Sequence, residues 1–350
     1  MGGLDQAIAD EILAHQLDLY RLESGTRAQA LGILDRMQRE LVAKLSHDMT
    51  ALNKQRTSTL LKEVAAVIDN YYTKAQGELD LTVHGVAHVQ ASHVANTLNS
   101  VFQANIDVAL PTDTYLARLA GGSLIQGAPI SDWWSRLSMD TAFKVSGEIR
   151  QGLAQSETNS QIIARVIGKE GVPGVLDISR RSASALVQTA VQSVANDARL
   201  ETFRINGDVI TKLRWVTALD SRVCDLCLAR ADLSWSNDAD HTPIDNKMAF
   251  RNPPIHWNDR CVLVPVTKTF KEMGLDIAEP PRSTRASSDG QVSGDTTFAD
   301  FLDRKGKSFQ DEVLGPGRAD MWRRGDITLQ DLVSGDGRPL TLAQLRKKYQ

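Results

Sequence analysis

All three cysteines of this 350-residue chain lie between positions 224 and 261, and two of them, Cys224 and Cys227, are spaced C-x-x-C. His256 follows, and Cys261 closes the pattern as H-x4-C. Thiolates and imidazoles are the donors that Zn2+ takes four at a time in a tetrahedron. A C-x-x-C turn can aim two sulfurs along one edge of that tetrahedron, and His256 and Cys261 can supply the opposite edge. Four protein donors leave no open position, so Zn2+ held by Cys224, Cys227, His256 and Cys261 would be structural and not catalytic. An odd number of cysteines cannot pair completely within one chain, which favours a reducing compartment and a metal or redox role over a structural disulfide. A thioredoxin-type pair fits poorly, because this C-x-x-C does not sit between a strand and a helix of a βαβ unit. The competing reading is three ordinary buried cysteines beside an unrelated histidine.

Other chemistry-bearing residues are weaker candidates. Asp220, Asp225, Asp238, Asp240 and His241 crowd near the cysteines, but no spacing among them is diagnostic of hydrolysis, and a solvated acidic loop is the simpler expectation. His84 and His88 share a helix face at i, i+4, with His93 close behind, yet no acidic or thiol partner stands near them in sequence. Gly306-Lys307-Ser308 resembles the end of a phosphate-binding loop, but Phe301 occupies the position of its first glycine. Neither H-E-x-x-H nor G-x-S-x-G occurs. No enzymatic activity is expected.

The elements that would position the cysteines follow from periodicity. The fold class expected is mainly α, with helical N-terminal and central regions, a small zinc-knuckle-like α+β module, and a flexible linker to a short helical tail. Residues 1–110 read as helix almost throughout: Ala30, Leu34, Met37, Leu41 and Leu45 share one face, as do Leu60, Leu61, Val64, Val67, Ile68 and Tyr71. A break is expected at 23–26 (Glu-Ser-Gly-Thr). Residues 111–210 form a second helical region. It opens on a glycine-bearing connector up to Pro129 and continues as helices over 131–153, around 162–167 and over 178–203. The last two, with the turn between them, could suggest a DNA-reading unit, but the second carries no concentration of Arg, Lys, Asn and Gln.

Residues 211–282 form the metal-knuckle module, with strands at 213–217 and 261–266 bracketing polar, proline-bearing loops. This module has little apolar material of its own, and a structural zinc can contribute on the order of 10 kcal/mol to folding such a unit. Residues 283–297, rich in Ser, Thr, Gly and Asp, read as a flexible linker, and 298–350 as a short helical tail.

Composition bounds the rest. Hydrophobic residues make up 42% and charged residues 24%, the balance of a globular protein of two or three domains. No run approaches the ~20 apolar residues that cross a bilayer. The N-terminus lacks a basic region followed by an apolar block, so no cleaved leader and no membrane contact are expected. A formal charge of −3 gives no support to binding DNA through bulk phosphate neutralisation.

The string Arg214-Trp215-Val216-Thr217-Ala218-Leu219-Asp220-Ser221-Arg222-Val223-Cys224-Asp225-Leu226-Cys227, followed by Pro253-Pro254-Ile255-His256 and Cys261, resembles the Mu F-like head morphogenesis, or minor head, proteins of tailed bacteriophages. The long helix upstream and the segment 309–315, with Arg318 and Gly325, fit the same pattern. The resemblance is strong over about 130–335 and rests on helical character alone before that. The family often reads His-x-x-Cys-x-Cys, and here Asp259 stands in place of the middle cysteine. That leaves Cys261 as fourth ligand, with Asp259 able to ligate through oxygen instead.

The resemblance implies a low-copy protein of the virion, inside the head, that passes through the host cytoplasm during assembly. Its implied partners are the portal protein and the major capsid protein or scaffold, with weak contact to packaged DNA, and its implied role is head assembly and DNA packaging or delivery. The alternatives are a zinc-dependent nucleic-acid-binding protein and a Mu F-like protein with hydrolase or toxin activity. Only about 50 residues follow the linker, few for a catalytic domain.

Overall fold

The computed structural model describes residues 3–48, 54–102, 108–274, 276, 278 and 284–349. Among these the chain is mainly helical, with small sheets. Two long helices come first, α1 (Gly3–Asp48) and α2 (Lys54–Phe102). The expected break at 23–26 does not occur. Gly25 meets no neighbour and lies within the helix, the Thr26 hydroxyl donates to the Leu22 carbonyl, and Glu23 is buried where Gln192 donates to its carboxylate. Tertiary contact outweighs the local cost of glycine in a helix, about 1 kcal/mol.

The stretch expected as a connector holds a helix of its own, α3 (Asp113–Gly122), capped by the Thr112 hydroxyl and burying Leu116 and Ala120. A two-residue hairpin follows, β1 (Leu124–Ile125) and β2 (Ala128–Pro129), turning through Gln126 and Gly127, both at positive φ. Next come α4 (Ile130–Ala154), α5 (Asn159–Ile167) and α6 (Val175–Ile205). Thr158 and Gln161 form a reciprocal capping box on α5. The α5–α6 turn needs glycine: a Cβ on Gly174 would lie 2.1 Å from the Gly168 nitrogen.

The apolar faces of α1 and α2 close on α4 and α6 in one core that includes Leu34, Leu41, Val64, Ile68, Trp134 and Val187. Arg199 of α6 is fully buried there, with no carboxylate partner among the described residues. Its guanidinium donates to Asn196, Gln16 and Gln90, tying α6 to α1 and α2, and burial holds its pKa down at about 10. Nearby, the rings of His15 and His93 stack with centroids 3.9 Å apart. Burial, then the second imidazole and Arg199, push His15 down to about 4, and burial lowers His93 as well.

The sign of the resulting pH effect follows directly. Between about 4 and 6.5 the unfolded chain binds protons that the folded chain refuses, so stability falls as pH drops through that window. The partial exposure of both rings limits the loss to on the order of 1–2 kcal/mol. Thermal melting between pH 7.5 and 5 should show it, and His15→Gln should flatten the dependence; a wild-type melting point independent of pH in that range would refute it.

The second core joins helices to a sheet. β3 (Ile210–Val216) pairs antiparallel with both β4 (Ser234–Ser236) and β6 (Val262–Thr267), and β5 (Pro243–Ile244) pairs with β4, giving the order β5-β4-β3-β6. Leu4, Ile8 and Ile12 of α1 and Val94, Leu98 and Phe102 of α2 pack in one cluster with Trp215, Trp235, Val262 and Val264 of this sheet. Asp5 accepts from the backbone and side chain of Thr267. The knuckle region therefore does not stand apart from the N-terminal helices.

The segment expected as a flexible linker holds a hairpin, β7 (Thr284–Ser287) and β8 (Gly290–Ser293), while the boundary expected at 282–283 lies outside the described residues. Arg285 is its anchor. Buried, it donates to the carbonyls of Thr217 and Thr296, contacts that a composition of Ser, Thr and Gly does not disclose. The tail folds as α8 (Phe298–Arg304), α9 (Lys307–Leu314), α10 (Pro316–Arg323), a 3-10 turn over Leu329–Leu332 and α11 (Leu342–Tyr349). Phe298, Phe301, Leu314, Met321 and Leu345 share a core with Leu219 and Leu228 of the knuckle region.

Candidate metal centre

The short helix α7 (Asp225–Leu228) explains the C-x-x-C spacing. Cys224 is its N-cap residue, and its carbonyl accepts from the backbone of Cys227 (3.1 Å) and Leu228 (2.9 Å). One helical turn separates the two side chains, so both sulfurs face the same way. The loop from Ile255 to Cys261 approaches from the other side. Its anchors are Asn258, at φ +60°, whose backbone donates to Thr189 of α6, and Arg260, which holds Asp220 with two hydrogen bonds of 2.7 and 2.9 Å.

The Nε2 of His256 lies 3.2 Å from the Cys224 sulfur and 3.1 Å from the Cys227 sulfur. Cys224, Cys227 and His256 bring their ligand atoms within 4.8 Å of one another, and so do Cys227, Asp259 and Cys261. Edges of a zinc tetrahedron built from N and S donors are about 3.5–3.8 Å. The residues singled out by sequence thus fall into two groups that share Cys227, one with Cys224 and His256 and the other with Asp259 and Cys261, and thiols and an imidazole are donors of the softness that Zn2+ takes.

The surroundings orient the donors. The Nδ1 of His256 lies 2.8 Å from the Trp257 carbonyl, so Nδ1 donates to it and Nε2 is the ring nitrogen turned to the sulfurs. Asp259 is buried. Its Oδ2 accepts from the Ile255 backbone (2.8 Å) and its Oδ1 from the Cys261 backbone (2.9 Å), with the Cys227 sulfur 3.5 Å away. The carboxylate clasps the two ends of the histidine loop and still faces the thiols.

The thiols divide their protons unequally. A hydrogen bond from Cys227, then His256, brings Cys224 down to about 4, while Cys224 and Cys261 drive Cys227 upward. Cys224 in turn raises His256 to about 9, and burial lifts Cys261 to about 11. Arg230 is 2% exposed, and burial, then Arg251, lower its pKa, while Cys227, Asp259 and Cys224 act in the opposite direction. Were a dication held by three thiolates here, the net charge of about −1 would be offset by such a buried guanidinium. Sequence reading passed over Arg230 and the clasping role of Asp259, because neither depends on spacing.

The weaker candidates are otherwise engaged. Asp220 is held by Arg260 and stays below the ordinary carboxylate range, Asp225 pairs with Arg318 of the tail at 2.6 Å, and Asp238 accepts from the backbone of Asp240 and His241. His88 faces Asp113 at 3.4 Å, and His93 stacks on His15.

Together these features define a cysteine–histidine cluster beside a helical bundle. Residues 143–264, from within α4 to the first residues of β6, match the family described as Phage Mu protein F like protein, the family that the Arg214-to-Cys261 string resembles. No curated protein and no solved structure matches the chain.

Proposed function

We propose that this chain is a minor head protein of a tailed bacteriophage that acts inside the head, with the portal and capsid or scaffold proteins as partners, during assembly and DNA packaging or delivery. The observation that carries the reading is that the Mu F-like match at 143–264 encloses both groups of candidate donors. No helix among the described residues is long and apolar enough to cross a membrane. The role proposed is structural and not enzymatic. Purified procapsids and virions should both contain the protein at low copy, and its absence from both kinds of particle overturns the reading.

In the same reading Cys224, Cys227, His256 and Cys261 hold Zn2+, with Asp259 as the clasp that positions His256 and Cys261. When bound, the ion supplies a cross-link between α7 and the histidine loop. Loss of an orienting partner typically weakens a metal site about 10–100-fold. Asp259→Ala should therefore lower zinc affinity by that amount, measured by competition with a chromophoric chelator. Unchanged affinity would show that Asp259 orients nothing.

A further inference from the structure

Two histidines of α2 take no part in the cysteine cluster. His84 and His88 stand at i and i+4, one helical turn apart on one face; His84 is exposed and the His88 side chain is 43% exposed. α3 packs on α2 here, with its Leu116 and Ala120 in one core with Val83, Val86 and Ala87. That packing brings Asp113, in the first turn of α3, to 3.4 Å from Nδ1 of His88. On the turn before His84 stands Asp80, so an acidic group does lie near in sequence as well. Burial raises the pKa of Asp80, while a hydrogen bond with Gln76 and then the charge of His84 act to lower it.

As an ion pair His88 and Asp113 contribute little, because both are exposed. As a donor set the arrangement offers more. Two imidazoles at i, i+4 are the spacing by which one helix chelates a transition metal, since both rings reach over the same face. The contact with Asp113 occupies only Nδ1 of His88 and leaves Nε2 as the donor, which is how a carboxylate orients a metal-bound histidine. His84 makes no hydrogen bond among the described residues, so no hydrogen bond holds its ring away from His88. Asp80 and Asp113 add negative charge beside the rings. Hard ions such as Mg2+ and Ca2+ take oxygen donors, six or more for Ca2+, and would find only these two carboxylates. Imidazole suits Zn2+, Ni2+ and Cu2+ instead.

We propose that His84 and His88 chelate a divalent transition ion of the Zn2+, Ni2+ and Cu2+ class, with Asp113 as the positioning group for His88 and water in the remaining coordination positions. Bound there, the ion braces the start of α3 on α2. The site is exposed and has two protein donors, so it exchanges its ion readily and empties on desalting. None of its residues belongs to the cysteine cluster or falls in the stretch 143–264 matched by the family, so it stands or falls apart from the function proposed above.

The test is calorimetric titration of the full-length protein with Ni2+, after incubation with an equivalent of Zn2+ and desalting, so that the cysteine cluster is in the same state in every variant. A saturable Ni2+ event, absent with Mg2+, is expected. His84→Ala and His88→Ala each leave a single imidazole and should weaken it at least about tenfold, because the second ring of a chelate binds intramolecularly. Alanine at these helical positions keeps the helix. Asp113→Ala should weaken it about tenfold, the lower end of what an orienting partner supplies. A second readout needs no variant: Ni2+ should protect His84 and His88 of the wild-type protein from diethyl pyrocarbonate, located by peptide mass spectrometry, and leave His241 as reactive as before. No saturable binding, equal affinity in either histidine variant, unchanged affinity in Asp113→Ala, or unprotected His84 and His88 overturns the proposal.

Discussion

Protein purified without chelator should carry about one zinc per chain, and Cys227→Ser should lose it. Cys227 is the donor shared by both groups around the candidate centre, and it is 2% exposed, so a hydroxyl there is both a poor ligand and a poorly solvated one. A structural zinc contributes on the order of 10 kcal/mol. The loss cannot stay within the knuckle region. Arg318 of the tail pairs with Asp225 on the C-x-x-C turn, and Leu228 of the same turn packs into the core formed by α8 to α11. The first turns of α1 share a core with β3, β6 and two of the cysteines.

Hydrogen exchange should therefore rise in Cys227→Ser over α7, the histidine loop, the tail and residues 4–12. The part of the bundle built on Leu34 to Leu45 and Leu61 to Leu79 should stay protected, because its contacts run to α4 and α6 instead. Elemental analysis showing no zinc in the wild-type protein would remove the metal. Retained zinc in the serine variant would remove Cys227 from its ligand set.

Trp215→Ala should be the most damaging single packing change near the site. Trp215 is fully buried in the central strand β3, meets Trp235 edge to face at 6.5 Å, and belongs to the same core as Cys227 and Cys261. Truncating a buried tryptophan to alanine costs about 3–5 kcal/mol through lost transfer energy and the cavity left behind. There is a second effect. The indole N–H makes no conventional hydrogen bond, but it lies near enough to the Cys261 sulfur to favour its thiolate against burial. The alanine variant should therefore both melt earlier and release zinc to a chelator faster, whereas Trp215→Phe should recover most of the stability without restoring the N–H. Equal zinc release from the phenylalanine variant and the wild type would show that the indole acts by packing alone.

What the amino-acid order determined by itself was whatever depends on short-range spacing. The 3.6-residue periodicity of Leu34, Met37, Leu41 and Leu45 was enough for helix, and the β-branched run at 262–266 for a strand. C-x-x-C followed by H-x4-C carried the donor set because thiol and imidazole chemistry belongs to residue type. Only the folded chain decided matters set by contacts between distant positions. Glu23 and Thr26 remain helical because α6 lies beside them, and Ser-rich residues 284–293 form a hairpin because Arg285 reaches two carbonyls. Asp259 becomes a clasp because its oxygens meet two backbone N–H groups, and Arg230 and Arg199 matter because of what burial does to a charge. Desolvation and long-range hydrogen bonding are properties of a place in the fold, and no local pattern of residues encodes them.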